Sequence, residues 1–370
     1  LHISVTQKFL AAALERGAAV APRKSAIQIL SHVRLRAGSD GLLAVATTDL
    51  DRFAEADCEA NVFEAGAVTV PAPAFTTLIS KHPKDGEIDL KLEGNSLIVR
   101  CGRSKVKLPT LPAGDFPKWT DEAPVAQFVL GGETFDRGFN RVRFAAATPD
   151  SVNWYLQGVC IDADTGADTL RLAATDGHRL AVCALPLPEG ADAAPRAIVP
   201  SEAVDTALRI FKGAGEVIIG LTERAASFSA DGLRLSCKLI DGEFPDYQRI
   251  IPERGAPAIA FKRTDFVDCL DRANVLAGEG AHYVIIAEPD GNTLRLRSNN
   301  QSGGEAEEEL AADIHPEFKR FGFNPRYAAQ FLSTLAVDEL TVEQTDPNGP
   351  CLFHSPNAPD FTGVLMPVRV

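Results

Sequence analysis

Alternation of apolar and polar positions dominates the chain and recurs in three places. Leu42-Leu43-Ala44-Val45-Ala46-Thr47-Thr48-Asp49, Leu170-Arg171-Leu172-Ala173-Ala174-Thr175-Asp176 and Leu294-Arg295-Leu296-Arg297-Ser298-Asn299-Asn300 each read as a strand entering a polar turn. Asp49 and Asp176 lie 127 residues apart, and Asp176 and Asn300 lie 124 apart. A second set keeps the same period. Val68-Thr69-Val70-Pro71, Ala197-Ile198-Val199-Pro200 and Phe321-Gly322-Phe323-Asn324 each end a strand before a helix, at spacings of 129 and 124. Two independent landmarks at one spacing identify an internal repeat.

Helical stripes follow the second landmark in each copy: Phe75, Leu78 and Ile79, then Val204, Leu208 and Phe211, then Tyr327, Phe331 and Leu335. A further helix opens each copy after its first strand. Thr6, Thr134 and Thr264 are expected there as N-caps, because a hydroxyl can accept from an orphan backbone N–H. Asp40-Gly41, Glu93-Gly94-Asn95, Asp231-Gly232 and Asp290-Gly291-Asn292 supply hairpin turns. Polar, Pro-punctuated stretches at Pro117–Pro124 and Pro252–Pro257 separate the copies. The expectation is an α+β protein of three similar domains, 1–121, 125–252 and 256–370, each with two helices among antiparallel strands.

Composition narrows the function more than the fold. The 370 residues are 45% hydrophobic and 24% charged, with a formal net charge of −13, an ordinary globular balance. No run reaches the ~18 apolar residues of a membrane helix, and the alternating N-terminal stretch is unlike a signal peptide. The cytoplasm is the expected compartment. The seven cysteines are scattered without a C-x-x-C pair, and the seven histidines show no metal-ligand spacing. No metal or other cofactor is expected.

Candidate chemistry is sparse. His178 and Asp176 could act as base and orienter, but no nucleophile motif accompanies them and the other copies lack the histidine. Asp162-Ala163-Asp164-Thr165-Gly166 resembles half a calcium loop, yet Ala173 stands at the twelfth position, where glutamate is needed. Gly213-Ala214-Gly215 lacks the rest of any phosphate-binding loop. An enzyme is therefore disfavoured. The apolar stretch Gly363–Val370 can complete a sheet, or border a groove for a partner's hydrophobic peptide, or do both.

Four blocks resemble one family in order along the whole chain. They are Gly102-Arg103-Ser104-Lys105 with Leu111–Pro117, then Ala174–Cys183, then Lys238–Tyr247, and Met366-Pro367-Val368-Arg369. The chain resembles the bacterial DNA polymerase III beta subunit, the sliding clamp. The resemblance implies a non-catalytic replication factor: two three-domain subunits join head to tail in a ring around double-stranded DNA, with helices lining the hole. The ring tethers DNA polymerase III and clamp-loader subunits through hydrophobic peptide motifs and confers processivity. A divergent paralogue that docks partners but retains DNA weakly is the alternative.

The resemblance also assigns residues. A partner-peptide pocket at the second domain boundary would use Leu156, Thr175, Gly177, His178, Arg179, Leu180, Pro245, Arg249, Ile250, Val364, Leu365, Met366, Pro367, Val368 and Arg369. Val368 and Val370 are smaller than the family's usual residues, which would alter peptide preference. The subunit contact would use Val106, Val275 and Leu276. DNA contacts would come from Arg23, Lys24, Lys81, Arg137, Arg141, Arg209 and Lys212, with Lys8 and Arg272 as further candidates and Trp154 and Tyr155 as an aromatic pair. Pro73, Ala74, Asn153, Ser201 and Glu202 stand where the family commonly has basic residues.

Overall fold

The computed structural model describes residues 1–120, 122–275, 284–299 and 304–368. The chain divides into two compact units, Leu1–Phe135 with Pro188–Leu239, and Asp136–Leu187 with Ile240–Val370. Every strand pairing between named strands described below is antiparallel, as the hairpin turns require. Asp231 and Gly232 both take positive φ, 45° and 71°, the two-residue turn whose twist matches the flanking strands.

The first unit holds two sheets. Five strands run in the order Asn61–Glu64, His2–Thr6, Glu87–Glu93, Ser96–Cys101 and Ser104–Pro109. Eight run Ala126–Gly131, Glu216–Leu221, Ala225–Ala230, Leu233–Lys238, Arg52–Glu59, Leu42–Thr48, His32–Ala37 and Gly66–Pro71. In the second unit a longer sheet passes from Gly158–Asp164 through Thr169–Thr175 and Arg179–Pro186 to Ala358–Leu365. It continues through Cys351–Ser355, Glu339–Gln344 and Ala258–Lys262 to the long strand Glu305–Ile314, then Thr293–Asn299, Ile285–Asp290 and Phe321–Phe323.

Six α-helices occur among the described residues, two per repeat: α1 (Gln7–Gly17), α2 (Ala72–Ser80), α3 (Gly132–Val142), α4 (Ser201–Ile210), α5 (Arg263–Asn274) and α6 (Pro325–Thr334). The stripes face inward. Phe75, Ile79, Val204, Leu208, Phe211, Phe331 and Leu335 are buried, while Leu78 and Tyr327 are half-buried. Phe331 stacks on Phe353 at 5.6 Å, so the helix is keyed into the sheet by aromatic contact.

The threonine caps are corrected. Thr6 stands at the N-cap of α1 but makes no side-chain capping bond. Thr134 and Thr264 lie inside α3 and α5, and the Thr264 hydroxyl donates to Asp265 Oδ1 at 3.2 Å. The reason is that each preceding strand runs directly into its helix, and a loop carbonyl takes the first free N–H. Gln7 donates to Gly86 O at 2.8 Å, Gly132 to Gly215 O at 2.8 Å and Arg263 to Asp338 O at 2.9 Å. Once backbone satisfies the orphan donor, no side-chain cap is needed. At α6, by contrast, Asn324 Oδ1 accepts from the Arg326 N–H at 3.0 Å.

The cysteines behave as small buried hydrophobes. Cys160, Cys183, Cys237, Cys269 and Cys351 are buried, and Cys58 and Cys101 are half-buried. Burial pushes the thiols of Cys58, Cys237 and Cys351 up to about 12 and that of Cys183 up to about 11. Since the thiolate is the reactive form, iodoacetamide at pH 8 should modify these four only after unfolding. Mass spectrometry with and without denaturant checks this; fast native labelling of Cys237 would contradict it. Among the described residues no group of three His, Cys, Asp or Glu side chains is placed to hold a metal ion, and no helix is long and apolar enough to cross a membrane.

Candidate partner-peptide site and nucleic-acid face

The turn Thr175–Arg179 is built by its own side chains. The Thr175 hydroxyl donates to Arg179 O at 2.6 Å and accepts from the Gly177 N–H at 3.1 Å. Asp176 Oδ1 accepts from the His178 and Arg179 amides at 2.9 and 3.1 Å, and Oδ2 accepts from Arg179 Nε at 3.0 Å. Gly177 takes φ of +88°, where a side chain is disfavoured. These bonds overturn the acid–base candidate. The Asp176 carboxylate is engaged by two amides and a guanidinium, and the His178 ring stacks on Tyr327 at 6.4 Å.

Arg179 is the hub beneath the turn. It is 8% exposed. Its Nη2 donates to Phe144 O at 2.7 Å, its Nη1 donates to Gln330 Oε1, and its guanidinium lies 4.3 Å from the Tyr327 ring centre. Burial lowers its pKa from the ordinary arginine value, and Asp176 opposes that shift. Phe144 and Gln330 escaped the sequence reading, and Tyr327 was legible only as a member of the helical stripe of α6; nothing in the sequence joins the three to Arg179.

The strand Ala358–Leu365 lies beside the turn, with Leu365 opposite Arg179 and Val364 opposite Leu180. Beyond it the Met366 N–H donates to His178 O at 2.9 Å, and the Val368 N–H donates to Gly322 O at 2.7 Å. Leu180, Val364 and Leu365 are buried, whereas Met366 and Val368 are 39% and 37% exposed. The stretch therefore both completes a sheet and borders an open surface. Leu156 is buried, and its carbonyl accepts from the Ala147 N–H at 2.8 Å. Pro245 and Pro367 are half-buried. Arg249 is exposed and pairs with Asp246 at 2.7 Å, and Ile250 is 41% exposed. Arg369 lies outside the described residues.

The basic candidates divide into two kinds. Arg23, Lys24, Lys81, Arg209 and Lys212 are exposed. Arg23 and Arg209 line one groove beside α1 and α2, where Arg209 Nη2 donates to Ala19 O at 3.2 Å. Arg137 and Arg141 instead converge on Asp360, at 3.5 and 2.5 Å. The Arg141 side chain is only 12% exposed and is held in this ion pair. Arg272 likewise pairs with Glu308 at 2.6 Å.

Trp154 is 59% exposed, meets Tyr155 edge-on at 5.8 Å and donates from Nε1 to Asp241 O at 2.9 Å. A Cβ on Gly242 would approach Tyr155 Cβ to 2.9 Å, which explains the glycine beside this pair. Val106 sits half-buried on the edge strand Ser104–Pro109, and Val275, after α5, is 81% exposed. Leu276 lies outside the described residues.

Comparison with known proteins places this architecture. The family described as DNA polymerase III beta subunit matches with its N-terminal domain at residues 1–120, its central domain at 130–246 and its C-terminal domain at 248–369. The beta sliding clamp of Caulobacter vibrioides (strain NA1000 / CB15N) is 32% identical, covering 100% of both chains. This chain belongs to the DNA polymerase III beta subunit family. The Pseudomonas aeruginosa beta sliding clamp is 30% identical over 100% of both chains. A DnaN sliding clamp from Bartonella birtlesii, solved bound to griselimycin, superposes with a TM-score of 0.96 at 31% identity, covering 100% of both chains. Caulobacter crescentus pol III beta gives 0.93 at 30%, again over the whole of both chains. The beta sliding clamp is a replication processivity factor and not an enzyme, and its three α+β domains are the repeat read from the alternation. A docking module that retains DNA poorly is not the favoured reading, because family and fold match over the full length.

Proposed function

We propose that this clamp encircles duplex DNA as a head-to-tail dimer in the cytoplasm and tethers DNA polymerase III and clamp-loader subunits through the surface around the Thr175–Arg179 turn. The observation that carries the reading is the tie between Met366 and His178. It places exposed Met366 beside the buried apolar pair Leu180 and Val364, an anchor surface with oriented backbone at its rim. Leu156, Pro245, Arg249, Ile250, Pro367, Val368 and Arg369 would extend that surface. Domains of 1–121, 125–252 and 256–370 would place it at the second boundary.

DNA would be held by Arg23, Lys24, Lys81, Arg209 and Lys212, with Arg137 at lower occupancy because Asp360 competes for it. Trp154 and Tyr155 would add an aromatic contact. Few phosphate contacts on a chain of net charge −13 give weak, salt-sensitive attraction without base readout, which suits sliding. The subunit contact would join the Val106 edge strand to Val275 and Leu276 of the other copy, a heterologous contact that closes. The test is retention. Loaded on nicked circular duplex by a clamp loader at moderate salt, the protein should coelute with DNA in gel filtration and be lost after linearisation. Equal loss from both forms would overturn encirclement.

A further inference from the structure

The turn that organises the partner-peptide surface is built a second time, in the first unit. Thr48 Oγ1 donates to Arg52 O at 2.7 Å and accepts from the Leu50 N–H at 3.1 Å. Asp49 Oδ1 accepts from the Asp51 and Arg52 amides at 3.1 and 2.6 Å, and Oδ2 accepts from Arg52 Nε at 2.9 Å. The strand beside it repeats as well. The Lys238 N–H donates to Asp51 O at 2.9 Å, matching Met366 on His178. Arg52 then reaches Glu202 on α4 at 3.0 Å, as Arg179 reaches Gln330 on α6.

The copy differs in one telling residue. Leu50 takes the place of Gly177 and holds φ of +81°, a conformation costing a side-chain-bearing residue about 1–3 kcal/mol. It is 43% exposed, so no core packing offsets the strain. Leu50 instead lines a cavity of about 540 Å³ together with Trp119 and Pro124. Trp119 packs against the buried cluster of Phe53 and Phe116 and stacks on Phe53 at 6.1 Å, which fixes the indole as a rigid wall. Lys118, Arg224 and Lys238 border the same cavity, and all three are exposed. Glu122 is the acidic side chain among its described lining residues. Lys238 is shared with Asp51 at 3.0 Å, but both side chains are more than half exposed, so that pair is readily exchanged.

We propose that this cavity is a second peptide-docking site, taking an acidic segment whose single leucine or aromatic side chain packs between Leu50 and Trp119 while its carboxylates meet Lys118 and Arg224. The strained leucine supplies the apolar contact that Met366 supplies at the first surface. Duplex DNA fits less well, because Leu50, Trp119 and Pro124 among the cations have no counterpart on a phosphate backbone. The inference draws on the peptide reading of the first surface, but its readout is separate.

The chain contains two tryptophans, Trp119 and Trp154, so Trp154→Phe leaves Trp119 as a local reporter in the full-length protein. Titration with the acetylated, amidated pentapeptide Asp-Glu-Leu-Glu-Glu should change Trp119 emission saturably. Leu50→Gly relieves the backbone strain, so this variant should unfold at equal or higher denaturant, yet bind about tenfold more weakly, a factor worth about 1.4 kcal/mol. Lys118→Glu with Arg224→Glu should weaken binding at least as much, and a peptide with lysines for its acids should not bind. Met366→Ala should leave the Trp119 signal unchanged even if the first surface proves not to bind peptide. An unresponsive Trp119 at millimolar peptide, undiminished affinity in Leu50→Gly, or displacement of the peptide by short duplex DNA would each overturn the proposal.

Discussion

Arg179→Ala should destabilise the second unit by about 3 kcal/mol, the cost of stranding one partner of a buried ion pair. The loss removes the donors to Asp176, Phe144 and Gln330 together and leaves the Asp176 side chain, 14% exposed, without its guanidinium. Arg52→Ala provides an internal control. Arg52 is 20% exposed and its distant partner Glu202 is 68% exposed, so solvent already screens part of that network, and about 1 kcal/mol is expected. Urea unfolding followed by a probe in each unit would report the two losses separately. Equal losses would mean that burial of the hub does not matter. Deleting Val364–Val370 would be a poorer test of the surface, because Val364 and Leu365 are core residues of a strand paired on both sides.

Glu343→Ala should have a comparable effect through a different arrangement. Glu343 Oε1 contacts His354 Nε2 at 2.7 Å, with side chains 9% and 11% exposed. Its Oε2 accepts from the Gly255 and Ala256 amides at 2.7 and 3.2 Å. One carboxylate thus pins the stretch entering Ala258–Lys262 to the sheet. Its removal leaves an imidazole and two amides unsatisfied, for a loss of about 3 kcal/mol. Glu343→Gln retains one carbonyl acceptor and should cost roughly half. Hydrogen exchange at Gly255 and Ala256 should quicken more in the alanine variant; unchanged protection there would show that the carboxylate does not hold this segment.

The repeat, the hairpins and the paired helices were legible because they depend on local pattern. Alternation marks which strand faces are buried, and Asp-Gly or Gly-Asn marks where φ turns positive. The helix starts were misread at Thr134 and Thr264 because the satisfying carbonyls, Gly215 and Asp338, come from distant loops. The same limit hides ion-pair partners. A basic residue on a helix, such as Arg141 or Arg272, is visible in sequence, but the carboxylate it pairs with, Asp360 or Glu308, is not. Asp176 was paired with His178 through adjacency, whereas the folded turn gives it to Arg179. The described pocket residues drawn from family resemblance lie on one unit, but the buried network beneath them could be seen only in three dimensions.

The strand pairings also order events during synthesis. Arg52–Glu59 is flanked on one side by Leu233–Lys238, and Arg179–Pro186 by Ala358–Leu365. Ribosomes add ~5–20 residues per second, so each of these edges stays open for roughly ten to forty seconds before its partner strand exists. Open edges recruit foreign strands, and the two awaited strands are themselves repeats of one another. A nascent chain therefore risks closing the wrong seam. The two seams end in the same backbone bond, Lys238 to Asp51 and Met366 to His178, and differ there in side chain, a charged lysine against an apolar methionine.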